Sequence, residues 1–110
     1  MSGIWKGSVS QPGFAAYPVE LSITPGTELK VDYPTLACGG SLMQWEVRDD
    51  AMLFRERLAH NSQRRCLNDG IVQLILRSDG RLRYEWYYPN ARPPGAQPGA
   101  TAVLMQAPGP

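Results

Sequence analysis

The sequence predicts an all-β fold: an antiparallel up-and-down meander of about eight strands, closed on itself as a barrel or a tight sandwich. Three observations predict it. Turn signals recur at intervals of about ten residues, at Pro12-Gly13, Pro25-Gly26, Cys38-Gly39-Gly40, Asp49-Asp50, Asn68-Asp69-Gly70 and Asp79-Gly80. The runs between them are short and rich in Val, Leu, Ile, Tyr and Trp. Several of these runs alternate apolar and polar residues with a period of about two, as strands do when one face is buried and the other wet. Short turns joining that many strands favour closure, because a closed sheet has no free edge.

The expected strands are 4–10, 17–24, 28–36, 41–48, 52–60, 71–78, 81–88 and 100–106. In the second, Tyr17, Val19, Leu21 and Ile23 share the inner face; in the third, Leu29, Val31 and Tyr33 do. Val72, Leu74 and Leu76 form the inner set of the sixth, with Ile71 and Ile75 opposing them. In the seventh, Leu82, Tyr84, Trp86 and Tyr88 face inward, leaving Tyr87 outside among Arg81, Arg83 and Glu85. Residues 89–100, "PNARPPGAQPGA", contain four prolines and two glycines. Proline donates no ladder hydrogen bond, so this segment reads as a long exposed loop. Residues 1–107 thus form one β-barrel domain and 108–110 a tail.

The fifth run, "AMLFRERLAH" at 51–60, admits two readings. Asp49 or Asp50 can cap a helix in which Phe54 and Leu58 are an i, i+4 pair. As a strand, the run places Glu56 on the same face as Met52, Phe54 and Leu58, with His60 following on that face. The steady train of short strands favours the second reading.

The chain is 43% hydrophobic and 19% charged, the composition of a folded domain, and its formal net charge is +1. That balance gives no electrostatic case for binding nucleic acid or acidic membranes as a whole. The nine arginines nevertheless all lie between Arg48 and Arg92. They read as solvated faces paired with nearby carboxylates, or as a recognition face for an acidic protein partner. Interleaving of "YEWYY" with Arg81, Arg83 and Arg92 resembles single-strand nucleic-acid platforms, but one outward aromatic makes a poor platform. No nucleic-acid partner is expected. No run approaches the roughly 18 apolar residues of a membrane span, and no signal-peptide pattern opens the sequence.

Taken together, "GIWKGSVSQPG", "YPVELSI", "VDYPTLACGGSL", "FRERL", "RCLNDGIVQL" and "LRYEWYY" resemble a small, largely uncharacterised bacterial β-domain. That domain occurs at the extracellular ends of Ser/Thr protein kinases and as short stand-alone proteins. The matching positions are Gly3, Trp5 and Gly7; Tyr33, Pro34, Leu36, Cys38, Gly39, Gly40 and Leu42; Arg55 and Glu56; Cys66, Asp69 and Gly70. The resemblance implies a lipocalin-like or avidin-like barrel that binds or senses and does no catalysis. It differs in lacking a kinase and in the length of "YYPNARPPGAQPGA".

Cys38 and Cys66 are the only cysteines, and with one histidine they cannot complete a zinc site, so no metal or cofactor is expected. They are either two thiols or a disulfide, and the resemblance favours the disulfide. A bridge places the chain in an exported or periplasmic setting; free thiols place it in the cytoplasm. No nucleophile motif or phosphate loop is present, and the chain is not expected to be an enzyme.

Glu56 is the sharper signal. An inward carboxylate must be hydrogen-bonded or paired, and the partners to hand are Trp5, Tyr33, Tyr84, Trp86 or an inward arginine. Either Glu56 is satisfied internally and fixes the fold, or it anchors a small polar or cationic ligand. In the second case Trp5, Tyr33, Phe54, Tyr84 and Trp86 form the walls.

Overall fold

The alternation read from the sequence becomes the inside and outside of a closed sheet. In the computed structural model, which describes residues 2–26, 28–91, 93 and 95–108, eight strands run in chain order around a barrel. They are β1 (Gly3–Val9), β2 (Tyr17–Ile23), β3 (Leu29–Tyr33), β4 (Cys38–Arg48), β5 (Ala51–Asn61), β6 (Ile71–Leu76), β7 (Leu82–Tyr87) and β8 (Ala100–Gln106). Every neighbouring pair is antiparallel, and β1 closes on β8 through Trp5 opposite Gln106 and Lys6 opposite Met105. Val19 and Leu21 from β2, Val31 from β3, Val72 and Leu74 from β6 and Leu104 from β8 meet in one buried core. Each such side chain contributes about 1.5–3 kcal/mol on burial. "AMLFRERLAH" lies wholly within β5, so the helix reading is set aside.

Two turns lie elsewhere than the sequence predicts, both for physical reasons. The third strand stops at Tyr33, short of residue 36, because Pro34 has no N–H to continue the ladder and opens a 3₁₀ turn, Pro34–Leu36. Ala37, with φ 53°, closes that turn and donates its N–H to the Pro34 carbonyl at 3.3 Å. Gly39 and Gly40, expected in a turn, lie inside β4 instead. Their smallness serves a close approach: a Cβ on Gly40 would run into the backbone of Arg57, Leu58 and Ala59.

That approach accompanies a register shift. Gly39 faces His60 while Gly40 faces Leu58, so Ala59 is the extra residue of a bulge. The parity of β5 flips there, and His60 points outward, contrary to the strand-parity expectation, with Nε2 3.7 Å from Asp32 Oδ1. A second shift between Gln44 and Glu46 makes Trp45 the extra residue of β4, and the Arg55 guanidinium lies 5.2 Å over its ring.

The proline-rich segment is not simply exposed. Pro93 is buried, and Ala96 packs on an outer cluster of Leu53, Ile71 and Tyr87. Tyr87, expected outside among the arginines, is therefore covered, and its hydroxyl donates to Glu85 Oε1 at 2.9 Å. Glu85 also accepts from Gln73 at 2.6 Å and from Arg83 at 2.8 Å. Burial pushes its pKa up, but those three hydrogen bonds and the nearby Arg83 charge outweigh it and hold the carboxyl below its ordinary range. Tyr88 and Leu76, assigned to inner faces, lie at strand ends and are exposed. Arg92 from the arginine and aromatic interleaving, and Gly109 and Pro110 from the expected tail, lie outside the described residues.

Gly40→Ala forces a methyl group against backbone atoms that cannot rotate away, and is expected to cost about 1–3 kcal/mol. The neighbouring Ser41→Ala, on the outer face beside Lys30, is expected to stay within about 0.5 kcal/mol. Urea unfolding of the two variants checks the contrast.

Candidate functional site

Glu56 sits near one end of the barrel, the end at which β1, β3, β5 and β7 finish. The segment after β5 folds back over this end and is stitched to it. The Asn61 side chain donates to the Cys66 carbonyl at 2.7 Å and accepts from its N–H at 3.3 Å. Cys66 is joined to Cys38 at the start of β4 by a disulfide, with Cα atoms 6.5 Å apart. Asn68 Oδ1 accepts the Leu58 N–H at 2.9 Å. Asp69, in the left-handed region at φ 64°, donates its N–H to the Glu56 carbonyl at 3.0 Å, and the Glu56 N–H is returned to Gly70 at 2.8 Å. The two backbone bonds fix Glu56 from both sides. A Cβ on Gly70 would run into the Trp86 indole, so the Asn-Asp-Gly turn also leaves room for the ring.

The Glu56 side chain is only 2% exposed. The Tyr33 hydroxyl donates to Oε2 at 2.5 Å, and the Trp86 indole N–H donates to Oε1 at 3.2 Å. Tyr33 and Tyr84 hydroxyls are also 2.5 Å apart. Tyr33 has one proton, and with that proton on the carboxylate, Tyr84 must be the donor between the two phenols. A chain of donation therefore runs from Tyr84 through Tyr33 to Glu56. Among the described residues no ion pair reaches the carboxylate.

Burial pushes the Glu56 pKa above its ordinary 4.5, and the bonds from Tyr33 and Trp86 offset part of that rise. The phenols respond in kind. Burial first, then the neighbouring phenol and carboxylate, drives Tyr33 well above its usual range, and Tyr84 is raised by burial and Glu56. Tyr17 is pushed up to about 12 by burial, Glu56 and Tyr88.

Above the carboxylate lies a cavity of about 100 Å³. Its floor and walls include Glu56, Tyr33, Tyr84 and Trp86, four of the six residues assigned to a ligand site from the sequence. Tyr17, Gln11 and Tyr88 complete the wall, and Leu36, Arg65, Cys66 and Leu67 come from the turns. Trp5 and Phe54 are buried in the core and do not line this cavity. Trp5 directs its indole N–H to the Ser2 carbonyl at 3.1 Å, towards the start of β1, and Phe54 lines a separate depression with Leu29 and Leu42. His60 lies on the opposite face of β5 from Glu56, so the two form no pair. Among the described residues no group of three or more His, Cys, Asp or Glu side chains is arranged to hold a metal ion.

Tyr17 and Tyr88 carried a sequence signal, their inward parity, but parity gives the face and not the height along the barrel. The loop residues Gln11, Arg65 and Leu67 carried none. No protein-family model matches the chain, and neither a curated protein nor a solved structure matches it significantly.

The bridge closes a loop with a sequence separation of 28. Replacing both cysteines by serine is expected to cost roughly 3.5 kcal/mol on the chain-entropy estimate, read by urea unfolding, with intact mass in and out of reductant reporting the bridge itself. The raised Glu56 pKa gives a second expectation. The folded state holds this proton more tightly than the unfolded chain, so the group's stabilisation is complete below 4.5 and is lost as pH rises through the folded pKa. The stability of the wild type relative to Glu56→Gln should therefore decline as pH is raised from 4.5 towards neutrality. A flat difference across that range would show that Glu56 titrates as an ordinary carboxylate.

Proposed function

We propose that the chain is a non-enzymatic binding module that takes a small polar or cationic ligand into the end of the barrel, with Glu56 as its polar anchor. One observation carries the reading: a buried carboxylate answered, among the described residues, only by neutral donors faces a cavity of about 100 Å³ walled by Tyr17, Tyr33, Tyr84 and Trp86. An ionised carboxylate offers about four lone-pair sites, and the side chains of the described residues use two of them. The unused sites suit a donor brought in by a ligand. The resemblance to the bacterial kinase-appended, lipocalin-like domain accords with binding or sensing, and the Cys38–Cys66 bridge accords with an exported, oxidising location.

The other reading, a protein-interaction or inhibitor domain acting through an arginine-rich outer face, has less support. Arg48 pairs with Glu46 at 2.7 Å, Arg57 with Asp69 at 3.3 Å, Arg77 with Asp79 at 3.3 Å and Arg83 with Glu85 at 2.8 Å. Arginines engaged within the molecule have less to offer an acidic partner.

A thermal-shift screen of small polar and cationic compounds against the wild type and Glu56→Gln tests the proposal. A true ligand at 100 times its Kd adds about 2.7 kcal/mol to the wild type and less to the variant. If the variant differs from the wild type by the same amount with and without every compound, Glu56 serves the fold alone.

A further inference from the structure

We infer that the group anchored at this site is an alkylammonium, inserted head-first so that its N–H groups meet Glu56 and its carbon stem lies against the aromatic wall. The inference rests on the binding role proposed above and names the chemistry of the ligand.

The charge balance is its first support. Glu56 receives one O–H and one N–H, both neutral, and among the described residues its charge has no counter-ion. A buried carboxylate in that condition gains more from a cation than from any neutral donor, because a cation supplies both the hydrogen bond and the missing charge. An anionic head would meet the same carboxylate and be repelled.

The wall is the second support. Trp86 and Tyr88 stand edge to face with centroids 4.8 Å apart, and Tyr17 and Tyr33 do so at 6.2 Å. Aromatic rings thus border the carboxylate from the β2–β3 side and from β7. Ring faces carry partial negative charge and attract an organic cation, most strongly where water is excluded. A strongly hydrated inorganic cation has little use for such walls, whereas an ammonium on a carbon stem uses both the rings and the carboxylate.

Size and rim are the third. A cavity of about 100 Å³ holds a few heavy atoms, given that a water takes about 30 Å³ of liquid volume. The head and first carbons of an alkylammonium fit, and the remainder must rest outside. Apolar surface is available there: Leu67 and Tyr88 both line the cavity and are each 51% exposed. Arg65 also lines the cavity from the 62–70 segment, so a single ammonium enters only where its pairing with Glu56 outweighs that like charge, and a second positive charge is disfavoured further. The same head could belong to a free amine or to a lysine side chain.

Titration of the full chain with n-butylammonium, n-butanol, butyrate and a lysine blocked at both termini, followed through the Trp86 indole N–H resonance, tests the inference. Butylammonium and the blocked lysine should give saturable shifts, with butanol binding about tenfold more weakly or worse and butyrate not at all. The tighter of the two amines identifies the source. Glu56→Gln should weaken butylammonium by about tenfold. Tyr88→Ala, at a half-exposed position, should weaken it by about threefold. Butanol binding as tightly as butylammonium, or affinity unchanged in both variants, would overturn the ammonium assignment. Neutral compounds binding the same site in the thermal screen while butylammonium does not would overturn it too, and leave the binding role standing. Silence from every compound in both experiments would remove both.

Discussion

A carboxylate withdrawn from water inside a barrel, with no cation among the described residues to meet it, is the constraint around which this end of the molecule is built. Moving such a charge out of solvent costs several kcal/mol even after relaxation. Tyr33 and Trp86 recover part of that through two hydrogen bonds, and the raised Glu56 pKa is the part left over. The groups that answer it must converge on it from other strands. Tyr33 does so as the last residue of β3, held extended before Pro34, with φ −119° and ψ 84°. Tyr84 and Trp86 do so because alternate residues of β7 face the same way.

The 62–70 segment serves the same constraint from outside. Its disulfide, the paired bonds from Asn61 and the contact from Asn68 to Leu58 hold a stretch without strand structure against the end of β5. Asp69 and Gly70 then lock the backbone of Glu56 and leave space for the indole. Arg55 adds a bond from its guanidinium to the Asp69 carbonyl at 2.9 Å, and Arg57 pairs with the Asp69 side chain. The arginines flanking Glu56 thus stabilise the turn that positions it, and neither pairs with the carboxylate between them.

How much of this was legible in the sequence depends on which force sets each feature. The strands and their faces were legible because burial acts on every second residue, and Tyr17, Val19, Leu21, Ile23, Val31 and Tyr33 keep strict alternation. The inward placement of Glu56 followed from the same rule. The bulge at Ala59 was not legible, since Gly39-Gly40 has the composition of a turn and only the proximity of the β5 backbone shows that it is a close approach. His60 was assigned to the wrong face for that reason alone. The covering of Tyr87 was hidden too, because proline content indicates what a loop cannot hydrogen-bond to and not what it packs on. Four of the proposed site residues come together at one end, while Trp5 and Phe54 serve the core, because alternation carries no information about depth.

Depth also divides the labour of the fold. Most of the core is filled by Leu, Val and Ala side chains with no polar group to satisfy, and the eight strands close into a continuous sheet around it. Stability gathered in that region can carry a polar end that works against it. An apolar side chain in place of Glu56 would remove the desolvation cost, and with it the need for the Tyr84-to-Tyr33 donation chain. Among the described residues that carboxylate meets only neutral donors beneath an aromatic cavity, and the proposed ligand role rests on this imbalance between a buried charge and neutral partners.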